Sequence, residues 1–306
     1  MGKESEFCEI AKATRRIIYN VSDEGIVERG FFRSDFMSGV GSGLLVYMDF
    51  RFFLLTARHN LDRMYPEEMR NESHVWVPKE FSPKFSGLQD FLMARRVWYI
   101  GELIDAERET FDPQDIALIE FFPPVGPQDL PENFVKVSGD DDFLKEEEFY
   151  EGQILSCFGY PESSNYYDNI EGDPIYNQST AFNLSVVVGS FTGDAVGGTM
   201  VVDESHNEVN GMSGGGVFFL GDDVGEGKLA GIVSCGGGGF IRFVPAFMFN
   251  DALLRYRDAR CEVIDQASNL TEYATERYDS WLKILCEMAG KDEDYKRSLG
   301  LFTPQD

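Results

Sequence analysis

From Gly39 onward, short apolar runs alternate with glycine, proline and acidic residues. GVGSGLLVYMDFRFFLLTARHNL (39–61) holds two such runs divided at Met48-Asp49, which predicts two strands joined by a tight turn. HVWVP (74–78), RRVWYIGELI (95–104) and DIALIEFF (115–122) predict further strands. A second set follows: QILSCFGYP (153–161), AFNLSVVVGSF (181–191), GTMVVDE (198–204), GGVFFL (215–220), KLAGIVSC (228–235) and FIRFVP (240–245). Each run is short, rich in Val, Ile or Phe, and bounded by turn-forming residues. Two groups of about six short strands predict an all-β core of two barrels or sandwiches rather than a βαβ sheet.

The period then changes. In SNLTEYATERYDSWLKILCEMAG (268–290), Leu270, Ala274, Tyr278, Trp281, Leu285 and Met288 recur every three to four residues. This is one face of an amphipathic helix, with Ser268 or Asn269 as cap and Gly290 as stop. The expected organisation is a segment 1–37, a first β unit 38–125, an acidic connector 126–150, a second β unit 151–247 and a helical C-terminal extension 248–306. Residues 139–175 hold eleven acids against one base, which reads as solvated connector and surface loops.

Composition excludes several classes. With 43% hydrophobic residues and 26 Phe among 306, the chain has material for a real core. No apolar stretch reaches the length of a membrane span. The N-terminal residues carry no secretory apolar run, and Glu6 stands where a myristoylation signal needs Ser or Thr. The five cysteines, Cys8, Cys157, Cys235, Cys261 and Cys286, form no CxxC pair, so a cytoplasmic location with reduced thiols is expected, and no Cys-based metal site. Three scattered histidines without His-x-x-x-His spacing point away from zinc, and no cofactor is expected. The formal charge of −26 opposes nucleic acid and anionic membrane. Solubility alone accounts for such a charge; attraction of a basic substrate or partner is the sharper reading.

Three local patterns carry chemistry. Thr56-Ala57-Arg58-His59 ends an apolar run, Asp115-Ile116-Ala117-Leu118 begins another, and Gly211-Met212-Ser213-Gly214-Gly215 lies in a glycine-rich turn. A serine hydroxyl is a weak nucleophile until an imidazole takes its proton, and a carboxylate fixes the tautomer of that imidazole. Charge developing on a carbonyl oxygen needs fixed N–H donors, which a Gly-x-Ser turn supplies. A lone histidine after a strand is more often structural, an Asp before a strand often caps a turn, and a glycine-rich turn can be only a turn. The weight lies in their conjunction, each at the edge of a predicted strand.

These residues resemble the chymotrypsin-like (trypsin-like) serine peptidases over roughly residues 38–247. TARHNL is similar to the family's Thr-Ala-x-His segment, DIALIEF to its Asp-Ile-Ala-Leu strand, and GMSGGGVF to its nucleophile turn. FGYP (158–161) and the brief run from Cys235 to Pro245 look closest to short-looped bacterial HtrA-like members, here without a PDZ module. The resemblance implies two six-stranded antiparallel barrels with a C-terminal helical extension. It implies a triad of His59, Asp115 and Ser213, oxyanion donors at the N–H groups of Gly211 and Ser213, and a protein or peptide substrate extended along Ser234, Cys235 and Gly236. Asn207, six residues before the nucleophile, would sit at the base of the first specificity pocket, which weakens a Lys/Arg preference. Arg242 would reach that pocket or remain a surface arginine. Met212 departs from the Asp of zymogen-activated members, so N-terminal processing is not the expected switch. The implied activity is a serine endopeptidase, narrow in specificity or gated by a regulatory partner. The alternative is a catalytically silent protein of the same fold that serves as a binding module.

Overall fold

The apolar pair at 44–55 folds as an antiparallel hairpin whose loop is two residues long. In the computed structural model β2 (Met37–Met48) and β3 (Arg51–Thr56) meet with Met48 opposite Arg51. Asp49 and Phe50 both take positive φ, 54° and 61°, the backbone sign that a primed two-residue hairpin turn requires. The structure describes residues 10–21, 37–62, 73–80, 91–105, 112–124, 130–131, 133–165, 167–169, 178–180, 183–193, 198–202, 209–221 and 227–263. The predicted helix at 268–290 and Asn207 lie outside these.

Around this hairpin stand β1 (Thr14–Val21), β4 (Ser73–Pro78), β5 (Phe91–Trp98), β6 (Ala117–Phe121) and the short β7 (Val135–Lys136). The order in this first sheet is β1-β4-β5-β6-β3-β2-β7, and β1 also pairs with β2. Both faces of β3 are buried, which explains the unbroken Phe52-Phe53-Leu54-Leu55 run. Phe52 and Leu54 join an inner cluster with Ile17, Leu45, Tyr47, Ile119 and Phe121. Phe53 and Leu55 face the other way, into a cluster shared with Phe158, Phe218, Ile232 and Val244 from the second half of the chain.

That second half closes on itself. β8 (Ile154–Gly159), β11 (Ser185–Phe191), β12 (Thr199–Val202), β15 (Phe240–Pro245), β14 (Lys228–Gly237) and β13 (Gly216–Phe219) form a closed barrel in that order, while β9 (Tyr167–Asn169) and β10 (Gln178–Thr180) make a separate hairpin. In β15 the exposed Phe240 and Arg242 alternate with the buried Ile241 and Phe243, the period of a strand with one wet face. The molecule is thus mostly β, with few helices among the described residues.

Three segments expected outside the β units take part in them. The N-terminal stretch supplies β1. The acidic connector supplies β7, paired parallel to β2, and buries Phe143 and Leu144. Beyond Pro245, a helix (Ala246–Leu254) buries Phe249 and Leu253 in the shared cluster. Tyr256 then packs edge-on against Phe53 and Trp98, with ring centroids 5.0 and 5.2 Å away. Finally β16 (Cys261–Val263) pairs antiparallel with β5 of the first sheet. Arg260 holds the return in place, with its guanidinium 3.7 Å from the centroid of Tyr99 and 2.8 Å from Glu102 Oε1.

One charged group lies deep in the first sheet. Glu120 on β6 is fully buried and accepts from Arg51 Nη1 at 2.6 Å, Arg95 Nη1 at 3.3 Å and Trp98 Nε1 at 2.9 Å. Such a carboxylate is tolerated only because its partners replace water on both oxygens.

Candidate active site

The first sheet presents His59 and Asp115 together. His59 opens a single helical turn, α1 (His59–Asp62), three residues past the end of β3, and Asp115 lies two residues before the start of β6. Strands β3 and β6 are neighbours, with Thr56 opposite Ala117, so the two side chains leave adjacent strand ends. His59 Nδ1 lies 2.7 Å from Asp115 Oδ2, and the His59 backbone N–H donates to Asp115 Oδ1 at 2.8 Å. A carboxylate only accepts, so Nδ1 carries the proton and Nε2 is left as the acceptor. Asp115 is 7% exposed, so this pair is shielded, while the His59 side chain remains about one quarter open at 23%.

The second barrel presents Ser213 on the turn between Val209 and β13. Gly211 and Gly214 have φ of +89° and +86°, which a residue with a Cβ rarely adopts. Each carbonyl of the turn has a donor. Asn210 O accepts from Glu162 N–H at 2.6 Å, Gly211 O from Ser42 Oγ at 2.8 Å, and Met212 O from Gly215 N–H at 2.9 Å. Ser213 O accepts from Ser42 N–H and Asn60 Nδ2, both at 2.8 Å. In a trans peptide the N–H points opposite its carbonyl. The Gly211 and Ser213 N–H groups therefore point away from these anchors, and neither has an acceptor among the described residues. Met212 is fully buried in the barrel core, which fixes the centre of the turn by packing.

Ser234 links the two halves. The β14–β15 register shifts between Val233 and Cys235, so Ser234 is the extra residue of a bulge and is re-aimed by it. Its hydroxyl donates to Asp115 Oδ2 at 2.9 Å, and its carbonyl accepts from Ser213 Oγ at 2.9 Å. Ser213 Oγ thus faces Ser234, and the described residues contain no hydrogen bond between Ser213 and His59. Cys235 and Gly236 continue exposed along β14, and a Cβ on Gly236 would come within 2.4 Å of Val209. Arg242 is exposed on β15 at the register position of Cys235.

The structure therefore brings His59, Asp115, Ser213, Gly211 and Ser234 to one place, with Cys235 and Gly236 next to it. It adds residues absent from the sequence reading. Ser42 and Asn60 sit in the site wall, and Ser234, expected only along a substrate, also touches the acid. A small polar residue inside an apolar strand, as Ser42 is in GVGSGLLV, was the one available signal. Among the described residues no group of three His, Cys, Asp or Glu side chains is placed to hold a metal ion. None of the described helices is long and apolar enough to cross a membrane. The chain matches no protein-family model and no curated protein.

Proposed function

We propose that this protein is a serine endopeptidase of the chymotrypsin-like kind, built on two antiparallel barrels. The pairing of β1 with both β2 and β4 supports a ring β1-β4-β5-β6-β3-β2 in the first sheet, a counterpart to the closed second barrel. The observation that carries the reading is the Ser234 bridge, which joins the Asp115–His59 pair to Ser213 across two sheets. In the reaction, the Ser213 hydroxyl turns from the Ser234 carbonyl to His59 Nε2. The imidazole takes the proton as Oγ attacks the substrate carbonyl carbon, and Asp115 stabilises the imidazolium. The Gly211 and Ser213 N–H groups receive the developing oxyanion. His59 then returns the proton to the leaving amine, and water hydrolyses the acyl-enzyme by the same route. A protein or peptide strand lies along Ser234–Gly236. The acidity of the chain favours a basic substrate, and narrow choice or a regulatory partner limits the cleavage.

A second reading, a silent module of the same fold, draws on the Ser213 hydroxyl facing Ser234 rather than His59. A fluorophosphonate separates the two. Covalent capture of Ser213 that disappears in Ser213→Ala is expected of the peptidase; a chain that takes up no probe is the module.

A further inference from the structure

We propose that Ser42 and Asn60 are positioning residues that set the distance between base and nucleophile; this rests on the peptidase reading above. His59 and Ser213 belong to different sheets, so their separation depends on what ties one sheet to the other. Asn60 follows His59 on the same helical turn and donates to the carbonyl of Ser213 itself at 2.8 Å. The base and the nucleophile are therefore joined by one peptide bond and one side-chain hydrogen bond. The orientation of the amide is dictated by its surroundings. Thr56 Oγ1 gives its own proton to Ser42 O at 2.7 Å, so towards Asn60 it can only accept, at 3.2 Å. Thr56 Oγ1 and Ser213 O both being acceptors, the amide nitrogen faces them.

Ser42 completes the clamp with every polar group it has. Its N–H donates to Ser213 O, its hydroxyl donates to Gly211 O, that hydroxyl accepts from Tyr160 N–H at 2.9 Å, and its carbonyl takes the Thr56 proton. It thus holds the carbonyls on either side of Met212, and with them the peptide planes that aim the turn. The fit leaves no slack: a Cβ on Gly214 would stand 2.0 Å from Ser42 O and 2.2 Å from Thr56 Oγ1. Ser42 and Asn60 are buried, at 0% and 3% exposure, so water cannot replace either bond. Neither residue touches the reacting atoms; both act through Ser213 and Gly211.

The test is the rate at which a fluorophosphonate in excess phosphonylates Ser213, followed by intact mass in wild type, Ser213→Ala, Asn60→Ala and Ser42→Ala. A displacement of about 1 Å costs on the order of 10²-fold. Asn60→Ala is therefore expected to label to completion at a rate roughly 10- to 100-fold lower, with the wild-type pH midpoint, because the His59–Asp115 pair is untouched. Ser42→Ala keeps its main-chain N–H on Ser213 and is expected to slow labelling less. A purely structural role would appear instead as a smaller labelled fraction at the wild-type rate. That result, or an unchanged rate in Asn60→Ala, overturns the proposal. If Asn60→Ala does not fold, the same criterion applies to Ser42→Ala. Absence of labelling in the wild type overturns the peptidase reading and the positioning role with it.

Discussion

The two β units are assembled in different ways. The second barrel is drawn from one continuous stretch, Ile154 to Pro245. The first sheet gathers strands from Thr14 to Val263 and spans nearly the whole described chain. The site divides along the same line. The first sheet supplies His59, Asp115 and the polar clamp; the second barrel supplies the Gly211–Ser213 turn and the strand beside it. A self-contained barrel can present a rigid turn, because Met212 and its neighbours are packed locally. The His59–Asp115 pair is tied to this turn by polar contacts that cross between the units, at Ser42, Asn60 and Ser234, above the apolar cluster the two halves share.

The largest effects are expected where the two units meet, at His59, Asp115 and Ser213. Ser213→Ala and His59→Ala are each expected to lower peptide cleavage by several orders of magnitude, and the double variant by little more, since they act as one unit. Asp115→Asn is expected to cost on the order of 10⁴-fold through the wrong tautomer. Steady-state kinetics checks all three, and full activity in any one refutes the assignment.

Next in size is the buried carboxylate of the first sheet. Glu120→Ala removes the buried acceptor that Arg51, Arg95 and Trp98 Nε1 share, at a cost of about 3–5 kcal/mol. Urea titration should find the loss, and retained stability would mean that Arg95 reaches other acceptors. Phe243→Ala in the second barrel is expected to cost a similar 3–5 kcal/mol by cavity formation. Equal losses by unlike causes would sharpen the contrast between a polar and an apolar core.

The return strand gives a smaller effect. Hydrogen bonding to Arg260 holds the Glu102 carboxyl below its ordinary value against the opposing effect of its burial. A lowered carboxyl contributes stability above its unfolded value, about 4.3, and that contribution fades as pH falls through the lower folded value. Both partners are substantially exposed, so Arg260→Ala is expected to cost no more than about 1 kcal/mol. The difference between wild type and variant should shrink below pH 4 in thermal melts.

Smallest is a chemical difference within the second barrel. Burial pushes the Cys157 thiol far above its usual range, whereas Cys235 is exposed. Iodoacetamide is therefore expected to modify Cys235 and spare Cys157 in the native protein, as peptide mass mapping would show.

The six strands of the second barrel were legible because each alternates or runs apolar between turn residues, and their neighbours lie close along the chain. The turn near Met48-Asp49 was legible from the apolar runs on either side of it, and the meeting of His59 with Asp115 from the resemblance their motifs carry. β1 was not, because TRRIIYNV places Arg15 and Arg16 at buried positions, so its hydropathy gives no strand signal. β16 is three residues long and acquires its meaning only from β5, far back in the chain. Asn60 was silent and Ser42 left only the trace of a polar residue in an apolar run, because their importance lies in what they touch across the interface. The Ser234 bulge was equally hidden, since a register shift depends on the partner strand.

The pairing of β16 with β5 also has a meaning during synthesis. The residues this return strand brings together are separated by 163 positions, as between Tyr99 and Glu262. At bacterial-to-eukaryotic translation speeds, that interval corresponds to roughly 8–33 s on the ribosome. Throughout it, the short stretch of β5 beyond β4, Arg96–Trp98, waits with one side of its N–H and C=O groups unpaired while the second barrel is made and closed. A waiting edge is a template for any other extended chain. The nascent protein therefore has to be shielded along one defined strand until its last described segment emerges.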